Sequence, residues 1–271
     1  MITLLRNAFL RNAAVATLLL WAPALQAQTA TSFLNDVLGA AGTINTDVAA
    51  NGNALKSLVI DFFILNNPSP DADGFVALTT LRQSAIEGAQ DDATAAIGHA
   101  AALDSYINPA NIQTWSAQIE GLGDAIVAKS AVLRSLILAG DATAAYPVAL
   151  SIRADLTQQF NLSKQIAREA AYYKQAQQAF NVRILLEDYL GNPVTGSTGL
   201  YGYYAYNEYT GEYVYPDYIF ADEFPDLRGS TYTFGAYPGY FDGASSRRVT
   251  LKASQEGPDG FIPVTLQYWS E

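Results

Sequence analysis

Residues 110–139 read ANIQTWSAQIEGLGDAIVAKSAVLRSLILA, and their apolar side chains keep a strict count. Ile112, Ile119, Ile126 and Leu133 fall seven apart; Trp115, Leu122 and Leu136 fill the alternate position, and only Lys129 interrupts it. A seven-residue apolar repeat among helix formers predicts a helix packed lengthwise against other helices. Similar stripes precede it, through Phe33, Val37, Ile44, Val48, Leu55, Leu58, Phe62 and Leu65, and through Phe75, Leu78, Leu81, Ala85, Ala89, Ala93, Ala96, Ala100, Leu103 and Ile107. A fourth follows, carrying Ile152, Leu156, Phe160, Ile166, Ala170 and Tyr173. The breaks between stripes, NNPSPDADG at 66–74, NPAN at 108–111 and AGDAT at 139–143, have turn chemistry. Short breaks between long helices imply antiparallel neighbours, so residues 31–179 are expected to form an up-down-up-down four-helix bundle about 45 Å long. Asn51-Gly52-Asn53 is expected to kink or split the first helix.

Near residue 180 the composition changes, and the period changes with it. Ala, Leu and Gln give way to Tyr, Gly, Pro, Thr and Val. NVRILLED reads as a strand, GNPVTGSTG as a loop, and STYTFGAY, RRVTLKA and FIPVTLQYW as later strands. Between them, LYGYYAYN and EYVYPDYIF are expected to pair across Thr210-Gly211. Six short strands in residues 180–271 predict an antiparallel β-sandwich, so the fold class is a four-helix bundle followed by a sandwich.

Within this second half, VRILLEDYLGNPVTGS resembles the opening strand and D-x-x-G-x-P-V-x-G loop of the carboxypeptidase-regulatory-like and Cna-B-like domains. GSTYTFGAYPGYFDGASSRRVTL resembles their later G-x-Y-x-F-x-A-x-x-x-G-Y segment. The resemblance covers about residues 180–269 and implies a prealbumin-type sandwich, used as a non-catalytic spacer, stalk or contact module. Members with an intramolecular Lys–Asn isopeptide bond carry the Lys on the first strand. Here that strand has Arg183, and Lys252 is the only lysine of this half, so no crosslink is expected. The terminal YWSE carries no sortase motif.

The first 27 residues read as a bacterial secretory signal peptide: Arg6 and Arg11 without an acid, then AAVATLLLWAPAL, then ALQA before Gln28. The apolar run of about 13 residues is too short for a membrane span. Cleavage after Ala27 leaves 13 Lys plus Arg against 26 Asp plus Glu, a net charge of −13, with no Cys and no Met. Such a chain repels phosphate backbones, so nucleic acid is not an expected partner. Without Cys there is no disulfide frame and no thiolate metal site.

Catalytic signatures are equally thin, and neither a catalytic residue nor a cofactor is assigned. His99 is the only imidazole and lies at the flank of its helix, where a boundary role is expected. Ser69-Pro-Asp71-Ala-Asp73-Gly74 has the alternation of a calcium loop, but its twelfth position is Thr80 rather than the closing Glu, so the Asp residues are expected to cap the second helix. Asp217, Asp222, Glu223 and Asp226 are expected in a solvated loop, with calcium binding the alternative, since hard oxygen ligands are present but no spacing fixes a shell. Glu187 and Asp188, adjacent on a strand, point to opposite faces.

There remain the tyrosines, thirteen of seventeen lying beyond residue 180 and eight of them between 200 and 218. Alternation sends Tyr201 and Tyr203 one way and Tyr204 and Tyr206 the other. Across a turn at Thr210-Gly211, Tyr206 faces Tyr215, Tyr203 faces Tyr218 and Tyr201 faces Phe220. One face enters the sandwich core; the other meets solvent, the bundle, a second subunit or a ligand. Tyr201, Tyr203, Tyr204, Tyr206, Tyr213 and Tyr215 are the candidate ligand-binding residues, since a phenol offers an apolar face and a polar tip. The expected function is that of an exported, non-enzymatic structural and interaction protein, able to form a homo-oligomer, with a protein or polysaccharide partner at the cell surface. Carbohydrate binding by the exposed tyrosines is the alternative, and a hydrolase with converging carboxylates the third.

Overall fold

The computed structural model describes residues 29–271, and the expected signal peptide lies outside them. Four helices come first: α1 (Ala30–Val59), α2 (Ala72–Leu103), α3 (Ala110–Leu138) and α4 (Ala142–Gln175). Each packs on two neighbours, α1 on α2 and α4, α3 on α2 and α4, which closes a four-helix bundle. Caps sit where the breaks predicted them. Asp71 accepts a hydrogen bond from the backbone N–H of Gly74 at 2.8 Å, and Asp141 accepts one from Ala144 at 3.0 Å. Each satisfies one of the orphan amides that a helix start exposes.

Ile112, Ile119, Ile126 and Leu133 are completely buried, as their spacing predicts. The second buried row differs from the expected one. Ser116, Gly123, Ser130 and Ile137 occupy it, one residue beyond Trp115, Leu122 and Leu136, which flank it half-buried. The reason is polar: Gln83 of α2 and Gln159 of α4 exchange amide hydrogen bonds at 3.3 and 3.0 Å beside Gly123, and Gln159 also donates to the Ile119 carbonyl. A Cβ on Gly123 would stand 3.0 Å from the Gln83 oxygen, so the small row makes room for this buried pair. Its satisfied amides fix the helices' register rather than add burial. Lys129 leaves the apolar row by pairing with Asp155 of α4.

Asn51-Gly52-Asn53 does not break α1, contrary to expectation. Val48 and Leu55 are buried on either side, and Asn51 itself is buried, so tertiary packing overrides the weak local propensity. The irregularity comes later, as a π-helical turn at Ile60–Ile64.

Eight strands follow rather than six: β1 (Ala179–Glu187), β2 (Tyr203–Asn207), β3 (Tyr213–Val214), β4 (Glu223–Arg228), β5 (Thr231–Ala236), β6 (Asp242–Ala244), β7 (Arg247–Thr250) and β8 (Phe261–Ser270). One sheet runs β4-β1-β8-β6 and the other β3-β2-β5-β7. Every ladder is antiparallel except β1 with β8, which pair in parallel from Asn181↔Phe261 to Glu187↔Gln267. The sheets close over Val182, Ile184, Ala205, Phe224, Phe234, Val264 and Leu266, a core separate from that of the bundle. The acidic segment expected to be a loop is in part β4: Phe224 and Leu227 enter the core while Glu223 and Asp226 stay outside.

The halves meet at a small, well-bonded joint. Three residues separate α4 from β1. Asp104, just past α2, receives both terminal nitrogens of Arg228 from β4, at 2.9 and 3.3 Å, the Gln177 amide at 2.9 Å and the Tyr106 backbone N–H at 3.0 Å. Burial pushes this carboxyl up, but the Arg228, Tyr106 and Gln177 bonds together outweigh it and hold the group below the usual carboxylate value. The Arg228 guanidinium also lies 4.2 Å from the centre of the Tyr106 ring. Gly229 lets the sandwich approach: a Cβ there would stand 2.4 Å from the Gln175 carbonyl at the end of α4.

Candidate contact surface

The chain reverses between β2 and β3 through a longer turn than Thr210-Gly211. Asn207 makes it, its side-chain oxygen accepting from the backbone N–H groups of Tyr209 and Thr210 at 2.9 and 3.2 Å. Its own N–H bonds to the Glu212 carbonyl at 2.8 Å, and Gly211 takes a φ of +75°. This is an Asx turn, which the side chain of Asn forms and a two-residue hairpin does not contain. The register is therefore Tyr206↔Tyr213 and Ala205↔Val214, two residues short of the expected Tyr206–Tyr215 pair. The expected partners Tyr203–Tyr218 and Tyr201–Phe220 do not form, because the chain leaves the sheet after Val214. A slip of two keeps each side chain on its expected face.

Tyr204 and Tyr206 point away from the core, and Tyr213 of β3 leans on both, ring centres 5.5 and 5.0 Å away. Tyr215 lies nearly parallel to Tyr213 at 6.3 Å, and its hydroxyl meets that of Tyr237 at 3.2 Å. Tyr237, just after β5, closes the group at 5.2 Å from Tyr204. Five phenols thus tile one outer face of the sheet, and the helices leave it open: Tyr213 and Tyr215 are 53% and 55% exposed. Gly235 pairs with Tyr204 across the strands, and a Cβ on it would lie 2.4 Å from the Tyr204 hydroxyl oxygen. The missing side chain is what lets that ring lie flat on β5. Its hydrogen bond to Tyr215 pushes the Tyr237 phenol up to about 12, so this hydroxyl is a neutral donor and acceptor at physiological pH.

Tyr203 points inward and packs on the sandwich core; burial first, then the Asp222 charge, raises its phenol. Tyr201 does not share that face. It precedes Gly202, whose φ of +123° ends the strand's alternation, and it is 55% exposed. With Tyr215, Pro216, Ile219 and Tyr237 it borders a shallow cleft of about 430 Å³ at the sandwich end remote from the bundle. The face's other end is polar, where Glu208 bonds to Thr233 and lies 3.8 Å from the Arg248 guanidinium.

Tyr237 was not among the candidate residues, although GAYPGY was read as part of a motif. Its membership depends on the β2/β5 pairing, which no local pattern reveals. Tyr209 behaves differently from its neighbours: it stacks on Tyr172 of α4, ring centres 3.4 Å apart and planes 15° apart. The hairpin tip is therefore bound to the bundle, while the hairpin's outer face is free.

The remaining candidates lie apart from this surface. His99 is exposed on α2, its ring 5.0 Å from that of Phe33. Asp188 closes the turn after β1, accepting from the N–H groups of Leu190 and Asn192 at 2.8 Å each. Glu187 and Asp222 line one cleft of about 710 Å³ with Tyr203, Ser197 and Thr198. Among the described residues, no group of three or more His, Asp or Glu is placed to hold a metal ion, and no helix is long and apolar enough to cross a membrane. No protein-family model, curated protein or solved structure matches the chain.

Proposed function

We propose that this is an exported, non-enzymatic structural and interaction protein of the bacterial cell surface or extracellular matrix, with the sandwich as its contact module. The observation that carries the reading is the five-tyrosine face, held by β2, β3 and the end of β5 and left open by the bundle. Large aromatic side chains that cannot enter their own core are typical anchors of contact surfaces, and rigid phenols lose little conformational freedom on binding. The likeness of residues 180–269 to carboxypeptidase-regulatory-like domains supports the same role. So does the two-sheet architecture, which suits a prealbumin-type sandwich. In this reading the bundle is a spacer, about 45 Å long by its helix rise, that carries the sandwich.

A second reading, carbohydrate binding, is favoured by one feature: the rings are flat and tipped with hydroxyls. A net charge of −11 over the whole chain directs such a surface to neutral rather than anionic glycans.

The test compares the purified protein with the triple variant Tyr204→Ala/Tyr213→Ala/Tyr215→Ala for retention on cells of the exporting bacterium and on insoluble neutral polysaccharide. Retention should fall by at least about tenfold, because each aromatic anchor contributes on the order of 2 kcal/mol. The thermal transition should fall little, since these rings are outside the core. Equal retention of both proteins rejects the surface; loss on cells with no binding to polysaccharide rejects the carbohydrate reading alone.

A further inference from the structure

The exposed apolar side chains of the bundle are unevenly placed. Residues Ile64 and Leu65 (each 66% exposed), Leu138 (59%) and Tyr146 (53%) all sit at the end where α1 passes into α2 and α3 into α4. Among the described residues, Leu103 is the only strongly exposed large apolar side chain of the helices at the other, sandwich-bearing end. The π turn places Ile64 and Leu65 here, and Phe63 reaches across to Tyr146, ring centres 5.7 Å apart. The free end therefore carries an apolar cap to which both helix connections contribute. An isolated exposed leucine needs no account, but a cluster on the one end not joined to anything does.

Charge selects the occupant. Residues 56–82 and 130–153, which form this end, carry four Lys plus Arg and four Asp, a balance of zero in a chain whose net charge is −11. Elsewhere a second copy is repelled; here it is not. An anionic membrane surface would favour a net basic end, and this one has no excess of cations. We infer that the free end of the bundle is a self-association surface, joining two copies end to end about a two-fold axis. A two-fold contact presents the same patch from both subunits, so the cap and its balanced charges serve as their own complement. Such a dimer directs its two sandwiches outward in opposite directions, about two bundle lengths apart. If the tyrosine face is a contact surface, this makes the protein bivalent, which raises retention on a multivalent surface without any new contact.

Sedimentation of the purified protein from about 1 to about 200 μM tests this, a range that spans typical self-association constants. A monomer–dimer equilibrium is expected, with Leu138→Asp weakening it at least about 100-fold while the helical circular dichroism stays unchanged. Ile64→Ser/Leu65→Ser, on the α1–α2 connection rather than in α3, should weaken it as well and guards against a folding defect in the first variant. Tyr213→Ala/Tyr215→Ala should leave the dimer intact. A strict monomer at the highest concentration overturns the inference. So does a dimer lost with the tyrosines instead of the cap, or a monomer that co-sediments through the cap with phosphatidylcholine vesicles. A dimer held by the cap in a protein whose tyrosine variant is retained on cells as well as the parent leaves this inference standing and rejects only the contact reading.

Discussion

Replacing Phe234 with Ala is expected to lower the stability of the sandwich by about 3–5 kcal/mol, the usual cost of deleting a buried aromatic ring. Phe234 has no exposed surface and meets Phe224 of the opposite sheet edge to face, ring centres 5.7 Å apart. It stands on β5 between Thr233 and Gly235, opposite Ala205, directly beneath the strand pair that carries the tyrosine face. Losing the ring therefore removes the support on which Tyr204 and Tyr206 are held. For a domain of this size each kcal/mol moves the midpoint by about 4–8 °C, so the aromatic circular dichroism, dominated by the tyrosines beyond residue 180, should melt at least about 12 °C lower. The helical signal should stay where it was, because the two cores share no buried cluster and meet through little more than the Asp104–Arg228 joint and the Tyr209–Tyr172 stack. A helical transition that falls in step would show one cooperative unit instead of two.

Gly202→Ala is expected to detach the segment 215–222 and open the cleft beside Tyr201. Two costs combine at this position. The φ of +123° lies in a region that only glycine enters without strain, on the order of 1–3 kcal/mol for another residue. A Cβ would also stand 2.3 Å from the Ile219 carbonyl oxygen, a backbone atom that cannot rotate aside. The cheapest relief is to release the loop, whose Tyr218, Ile219 and Phe220 are already 78%, 69% and 72% exposed. Limited chymotrypsin digestion should then cut after Tyr218 or Phe220 at least about tenfold faster, as local opening of an exposed segment controls such cleavage. Unchanged cleavage with an unchanged midpoint would mean that the backbone absorbs the new methyl and that Gly202 does not anchor the loop.

What was legible in the chain divides along the range of the interactions. The bundle was readable because Ile112, Ile119, Ile126 and Leu133 report their burial by spacing alone, and the caps because Asp71 and Asp141 act within three residues of themselves. The polar layer was not, since Gln83 and Gln159 are 76 positions apart and each looks like an ordinary surface glutamine. Along the same line, Tyr204 and Tyr206 could be assigned to a face from alternation, but the register opposite them could not. It depended on the Asn207 side chain closing a longer turn. Tyr237 and the parallel β1/β8 pairing depend on strands distant in sequence, where no period speaks.

The same distinction explains which tyrosine does what. Of the eight between 200 and 218, Tyr203 supports the core, Tyr209 ties the hairpin tip to Tyr172, and Tyr204, Tyr206, Tyr213 and Tyr215 form the open face with Tyr237. A surface of this kind costs solubility if it has no partner, and the acidic balance of the chain offsets that cost.

Hydroxyl-radical footprinting of the tyrosines, in the free protein and in the presence of bacterial cells, tests the central claim most directly. The account predicts that Tyr206, Tyr213, Tyr215 and Tyr237 react in the free protein and become protected on binding, while Tyr240, 88% exposed and outside the face, reacts equally in both. Protection confined to Tyr240, Tyr189 or Tyr146, with the five-tyrosine face as reactive as before, would contradict it.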